Sequence, residues 1–318
     1  MKKIALFCCY YGKWPNYFDL WLKTSENNQN IDFYFVTDLS IKNTKKNIKI
    51  VNWSFEELKN KIQEHFDFNI SLDTPYKLCD YKPMGGLLFS EYLVDYDWWG
   101  FFDIDTVLGD ISKFVVDEIL DKYDKIYEQG HLQLLKNNTY MNNLFLSDVN
   151  LPCENYKEAY TTKRICHFDE SGTTAYAKEL NFKFYKHPQD MADIDPSSFR
   201  FKCFAVRNKN YPPSVIVWKD GNLYIAYVDN DNKVKYQEID YAHFQKRKME
   251  NLVTNIDNGF IAIPNKFIDY QPITPEFIIK NSPQNYNYKE YKKASRKTQF
   301  KKLFDGTVPH RIKKFFKK

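Results

Sequence analysis

Trp98-Trp99-Gly100-Phe101-Phe102-Asp103-Ile104-Asp105 is the stretch on which the reading of this chain turns. An apolar, aromatic run ends abruptly on two acids, and a buried run ending in two carboxylates needs a counter-charge. In a strand, residues two apart point the same way, so the spacing predicts that Asp103 and Asp105 face one side. Two carboxylates so placed make a hard-oxygen site for Mg²⁺ or Mn²⁺. Such an ion can hold a diphosphate and offset the charge that develops as it leaves. Asp-x-Asp is also common in loops; its place after a very apolar strand, about a hundred residues into an α/β pattern, gives it weight.

Upstream, Ile4-Ala5-Leu6-Phe7-Cys8-Cys9 is too short for a signal peptide core and lacks a small-residue cleavage site, so it reads as a first buried strand. Residues 15–23 carry Tyr17, Leu20 and Trp21 at helical spacing. Residues 31–38 read as a strand ending in a polar turn, and residues 48–51 as another. Ser54 with Glu57 three residues on predicts a capping box. This order predicts an α/β fold, a mixed, mostly parallel Rossmann-like sheet flanked by helices. Ligands of such sheets sit beyond the carboxyl ends of the strands, here Tyr10-Tyr11-Gly12 and Thr37-Asp38.

Downstream, residues 76–86 form a polar-aromatic loop opening a helix through Tyr92, and residues 126–136 a strand pair with Gly130 and His131 between. Residues 137–200 give little helical signal. A β-hairpin over 215–239 turns at Asp220-Gly221, a pair favoured where turn residues need positive φ. Residues 242–252 read as a short basic helix. The expected organisation is one domain over 1–255 and a C-terminal extension over 256–318, loosely ordered after about residue 280.

Of 318 residues, 43% are apolar and 18% aromatic, a composition for a sizeable core with stacking surface to spare. Six cysteines lie without Cys-x-x-Cys or Cys/His spacing, which argues against structural zinc and a disulfide framework and fits a reducing cytosol. No stretch approaches a transmembrane helix, so the expected location is cytoplasmic. Residues 289–318 hold twelve Lys or Arg against Glu290 and Asp305, a charge of +10; the whole chain is +5, leaving about −5 for residues 1–288. In the tail, Val308, Ile312, Phe315 and Phe316 share a helical face ringed by Arg311, Lys313, Lys314, Lys317 and Lys318. That pattern predicts a surface-seeking helix for the anionic inner face of the cell membrane. The acidic body and the lack of a nucleic-acid module argue against nucleic acid.

Over residues 1–255 the chain resembles GT-A glycosyltransferases, in particular the bacterial group associated with capsule and other surface polysaccharides. The matching pieces are Tyr10-Tyr11-Gly12, Phe35-Val36-Thr37-Asp38, Tyr76-Lys77-Leu78-Cys79-Asp80-Tyr81-Lys82-Pro83 and Trp99-Gly100-Phe101-Phe102-Asp103-Ile104-Asp105. Gly130-His131-Leu132 and His243-Phe244-Gln245-Lys246-Arg247-Lys248 complete the set. The resemblance implies a nucleotide-sugar donor, with UDP the default, and a glycan or lipid-linked acceptor. It implies that Asp105 binds Mn²⁺ or Mg²⁺, that Asp103 contacts the metal, sugar or ribose, and that His243 is a late metal ligand. Tyr10, Tyr11, Gly12, Thr37, Asp38, Lys77, Asp80 and Lys82 would lie beside the donor.

His131 is a candidate for an acceptor hydrogen bond or a turn residue. An inverting transferase needs a carboxylate to deprotonate the acceptor, and Asp169 or Glu170 in His167-Phe168-Asp169-Glu170 could serve; a retaining one would not need it. Two alternatives stand beside the transferase. Asp103, Asp105 and Val107 match the first motif of haloacid-dehalogenase-like phosphatases, although at least two strands precede it and no paired-aspartate partner is evident. A non-enzymatic carbohydrate-binding protein would leave the aspartates unexplained.

Overall fold

The structure is a computed structural model that describes residues 2–42, 45–194, 201–202, 212–245, 247–283 and 288–304. The chain begins with β1 (Ile4–Cys9), α1 (Phe18–Ser25), β2 (Ile31–Val36), β3 (Ile48–Val51) and α2 (Phe55–Gln63). A 3-10 helix over Pro75–Met84 runs into α3 (Gly85–Leu88), followed by β4 (Trp98–Phe102), β5 (Thr106–Leu108) and α4 (Asp117–Lys122). Then come β6 (Lys125–Ile126), β7 (Leu132–Lys136), α5 (Thr139–Asn142), α6 (Tyr156–Thr161), α7 (Ser171–Glu179) and β8 (Phe184–Tyr185). The strands β9 (Met191–Ile194), β10 (Phe201–Lys202), β11 (Ser214–Lys219), β12 (Asn222–Val228), β13 (Val234–Ile239) and β14 (Tyr241–His243) follow. The last elements are β15 (Glu250–Asn251), β16 (Phe260–Ile263), β17 (Lys266–Asp269), α8 (Pro275–Asn281) and α9 (Tyr288–Phe304).

The central sheet has seven strands in the order β3-β2-β1-β4-β7-β6-β8. All its pairings are parallel except the two made by β7. Both faces are covered, and this is why β4 is buried at all five positions. On one face Trp21 stacks on Phe102 while Phe33 and Phe35 meet it edge-on; on the other Phe7 stacks on Phe89 and Tyr34. Part of the aromatic content of the composition is therefore core. Gly100 is required in β4, because a Cβ there would collide with the Gln133 carbonyl of β7.

The mixed, mainly parallel sheet flanked by helices agrees with expectation, as does the capping box of α2, where Ser54 and Glu57 bond reciprocally. The hairpin is β11 and β12, with Asp220 and Gly221 both at positive φ. It belongs to a six-stranded sheet whose members β16 and β17 lie beyond residue 255 and pair back into it through β11.

Other expectations are corrected. Residues 242–252 are not a helix, because β14 pairs with both β5 and β9. Residues 137–200 hold α5, α6 and α7; the capping box Asn155–Glu158 that starts α6 was a legible signal. After residue 280 the chain forms α9, while the apolar face expected at Val308 to Phe316 lies outside the described residues. Among the described residues no helix is long and apolar enough to cross a membrane.

Candidate active site

Strands β1, β2 and β3 run outward to one side of β1, and β4 pairs on its other side, so the strand order reverses between β1 and β4. Parallel sheets bind ligands at such a switch point, beyond the carboxyl ends of the strands. A cavity of about 660 Å³ opens there. Tyr10 and Tyr11 from the end of β1, Asp103 and Asp105 from the end of β4, and Lys82 from the 3-10 helix line it. Arg247 and Lys248 line it as well, together with apolar Phe89, Trp99 and Phe101.

The two aspartates converge, but not by strand alternation. Strand β4 ends at Phe102, and Asp103, Ile104 and Asp105 form the bend that carries the chain into β5. Strand β5 leaves the central sheet for a four-stranded one ordered β10-β9-β14-β5. There Thr106 pairs with His243, and the Asp105 carbonyl accepts from the Phe244 amide at 2.8 Å. This pairing delivers His243 to the aspartates, its Nε2 lying 3.5 Å from Asp105 Oδ1. Ligand atoms of Asp103, Asp105 and His243 all lie within 4.8 Å of one another. His131, Asp193 and His243 form a second, overlapping trio of the same kind.

Charge in this cluster is balanced by construction. Burial alone would lower the His243 pKa, but the carboxylates of Asp105 and Asp193 outweigh it and raise it to about 10. The ring between the two carboxylates therefore keeps its second proton readily, and an ion bound at Nε2 would take that proton's place. Two carboxylates and an imidazole are a donor set that suits Mn²⁺ or Mg²⁺, so these residues fit the expected ion. His131 stacks on His243 with ring centroids 4.0 Å apart, and its Nδ1 is 2.8 Å from the Tyr241 hydroxyl, which donates to Met191 Sδ. Burial, then the His243 charge, push the His131 pKa well down, so it packs there neutral. It is buried and does not line the cavity.

Lys82 ties the aspartates to the rest of the site. Its Nζ donates to Asp103 Oδ1 at 2.8 Å and to the Gly130 carbonyl at 2.7 Å, and lies 3.3 Å from Asp169 Oδ2. Burial opposes its charge, yet Asp103 and Asp169 hold its pKa well above the ordinary lysine range. Asp169 sits behind Lys82, where a side chain at position 130 would strike its carboxylate, so Gly130 makes room for it. Among the described residues its Oδ1 is buried with no hydrogen-bond partner. Burial first raises its pKa to about 7, against the pull of Lys82. Glu170 accepts from the Gly130 amide at 3.0 Å and so braces the same turn.

Lys77 and Asp80 do not reach the cavity. They form a buried ion pair at 2.6 Å; Lys77 also donates to the carbonyls of Ala159 and Arg164, and Asp80 accepts from the amides of Cys166 and Phe168. This pair pins the segment before Asp169 to the 3-10 helix, a structural role that every third-residue spacing in a helical turn allows. Gly12, at φ +111, turns the chain after β1. Thr37 is buried with its hydroxyl accepting from the Leu39 amide, and Asp38 is exposed at the end of β2; none of the three lines the cavity. Sequence reasoning missed Asp193, Arg247 and Lys248. The last two stand in the quoted piece after His243, but Asp193 had no signal beyond a short alternation, Met191-Ala192-Asp193-Ile194.

Comparison with known proteins adds the following. No curated protein matches the chain. A crystal structure of the galactosyltransferase LgtC in complex with donor and acceptor sugar analogs is similar at 12% identity and TM-score 0.41, over 77% of this chain and 88% of that one. An active-site mutant of LgtC is similar at 12% identity and TM-score 0.40, over 76% and 87%. The model of a family of unknown function, DUF6625, matches residues 6–271, and the chain belongs to that family.

Proposed function

We propose that this protein is a metal-dependent glycosyltransferase that moves a sugar from a nucleotide-sugar, with UDP the default carrier, to a capsular or other surface-glycan acceptor. The observation that carries the reading is the convergence of Asp103, Asp105 and His243, the two aspartates of which line the switch-point cavity. When bound there, Mn²⁺ or Mg²⁺ supplies electrophilic stabilisation of the departing diphosphate. Asp103, Asp105 and His243 would hold it. Lys248 and Arg247 line the same cavity and can offset phosphate charge, while Tyr10 and Tyr11 offer a surface for the nucleoside. Lys82 fixes Asp103 in place. Asp169, which is buried behind Lys82 and does not itself line the cavity, is the carboxyl we assign to take the acceptor's proton if the reaction inverts.

The reading is tested by thermal unfolding with nucleotides and nucleotide-sugars, each with and without Mn²⁺. At a hundredfold excess over Kd one nucleotide class should stabilise the fold by about 2.7 kcal/mol, only with the metal present. A well-folded protein that responds to no nucleotide would remove the basis for the proposal.

We also propose peripheral attachment to the cytoplasmic face of the membrane through the basic C-terminal tail, which would bring the site to a lipid-linked acceptor. The supporting features are the Lys-rich helix α9 and the +10 charge of residues 289–318. The full chain should co-sediment with anionic vesicles at low salt and a chain ending at residue 283 should not. Equal sedimentation of both would rule the tail out.

A further inference from the structure

A metal-ligating histidine works only if the correct ring nitrogen faces the ion, and something must set that choice. His243 lies on β14, which pairs in parallel with β9 so that His243 stands directly opposite Asp193. Its Nδ1 is 2.8 Å from Asp193 Oδ1. An ionised carboxylate only accepts, so Nδ1 carries the hydrogen and Nε2 is the nitrogen turned toward Asp105. Asp193 is itself held. Gln245, two residues beyond His243, donates from Nε2 to Asp193 Oδ2 at 2.6 Å. The His131 ring lies against the flat face of His243, 16° from parallel, and keeps the imidazole from rolling.

We infer that Asp193 is a positioning residue for the metal centre, fixing His243 with Nδ1–H on the carboxylate and Nε2 presented to the ion, with Gln245 locking the carboxylate. The inference rests on the metal-site reading above. It deepens that reading by assigning a residue from a strand that contributes no ligand to the Asp103–Asp105–His243 trio. Removing the carboxylate frees the ring to rotate and leaves the ion with the two aspartates alone.

The test uses the full chain with Mn²⁺ alone as the probe. Mn²⁺ affinity is measured by the loss of the free-ion paramagnetic resonance signal, and imidazole ligation by nitrogen hyperfine modulation in pulsed spectra. Asp193→Ala should weaken Mn²⁺ binding about 10- to 100-fold, the usual effect of losing an outer-sphere partner, and should diminish the nitrogen modulation. Gln245→Ala, at an exposed position, should leave the fold intact and produce a smaller change of the same kind. His243→Ala sets the spectrum expected for complete loss of the ring. Wild-type-like affinity with undiminished modulation in Asp193→Ala would overturn the inference alone. Absence of Mn²⁺ binding in the wild-type protein would overturn the metal reading and this inference with it. If Asp193→Ala fails to fold, Gln245→Ala decides: an unchanged nitrogen signal there counts against the clamp, and a weakened one supports it.

Discussion

If the proposed function holds, Asp105→Ala should abolish metal-dependent turnover of the nucleotide-sugar, lowering transfer and donor hydrolysis by about 10³-fold or more while the protein stays folded. The magnitude follows from the chemistry. An ion stabilising the leaving diphosphate contributes several kcal/mol to the transition state, and each 1.4 kcal/mol is tenfold in rate. Asp105 is the member of the trio with the least freedom: its carboxylate is buried, and its carbonyl is pinned by the Phe244 amide at 2.8 Å. No neighbouring acid can move into its place, since Asp103 is engaged by Lys82 and Asp193 lies on the far side of the His243 ring. Folding should survive because Asp105 is a partly desolvated charge whose removal leaves the pairing of β5 with β14 intact. The Mn²⁺-dependent thermal shift should vanish in the same variant. Turnover within tenfold of wild type would show that the cluster is not the metal site. The phosphatase alternative makes a different forecast: there Asp103 is the nucleophile, and phosphate monoesters would be hydrolysed.

How much of this was written in the sequence depends on the range over which each feature is decided. The open parallel sheet was legible because apolar runs and capping signals act over a few residues, as in Ile4–Cys9 or Ser54 with Glu57. Asp103 and Asp105 could be singled out for the same reason, though the cause of their convergence could not. It is a bend between two sheets, fixed by the pairing of Thr106 with His243, residues 137 positions apart in sequence. That long-range pairing also makes Tyr241–His243 strand at the start of the expected helix over 242–252, since local propensity yields when a strand partner is available. Lys77 and Asp80 show the reverse error. The resemblance put them beside the donor, but apart from each other their partners are backbone groups more than 80 residues away, which no spacing rule reveals. Asp193 was invisible because its meaning comes entirely from the strand beside it.

Asp169→Asn should cut transfer by about 10²- to 10⁴-fold, the range for losing a general base, with nucleotide binding within about threefold of wild type. The carboxyl is placed for two-state behaviour near neutrality: burial behind Lys82 raises its pKa to about 7. A base works deprotonated, so wild-type kcat/KM should rise with pH through about 7 and then level off. The Asn variant should show a low rate without that limb. The same shift makes an opposite forecast for stability. The folded protein keeps the Asp169 proton up to about pH 7, whereas an unfolded aspartate releases it near pH 3.9. Between those values the folded state binds more protons than the unfolded one, so stability falls as pH rises through the window and stays lower above it. The Asn variant carries no such penalty. It should therefore match the wild type below pH ~4 and exceed it above neutrality, by a margin on the order of 1 kcal/mol or more. A variant both slower and sturdier at pH 8 is hard to obtain from a residue that merely holds the turn at Gly130, because losing a structural contact would weaken the fold. An Asn variant with full activity, or one destabilised at every pH, would transfer the base assignment away from Asp169 and leave it as a partner of Lys82.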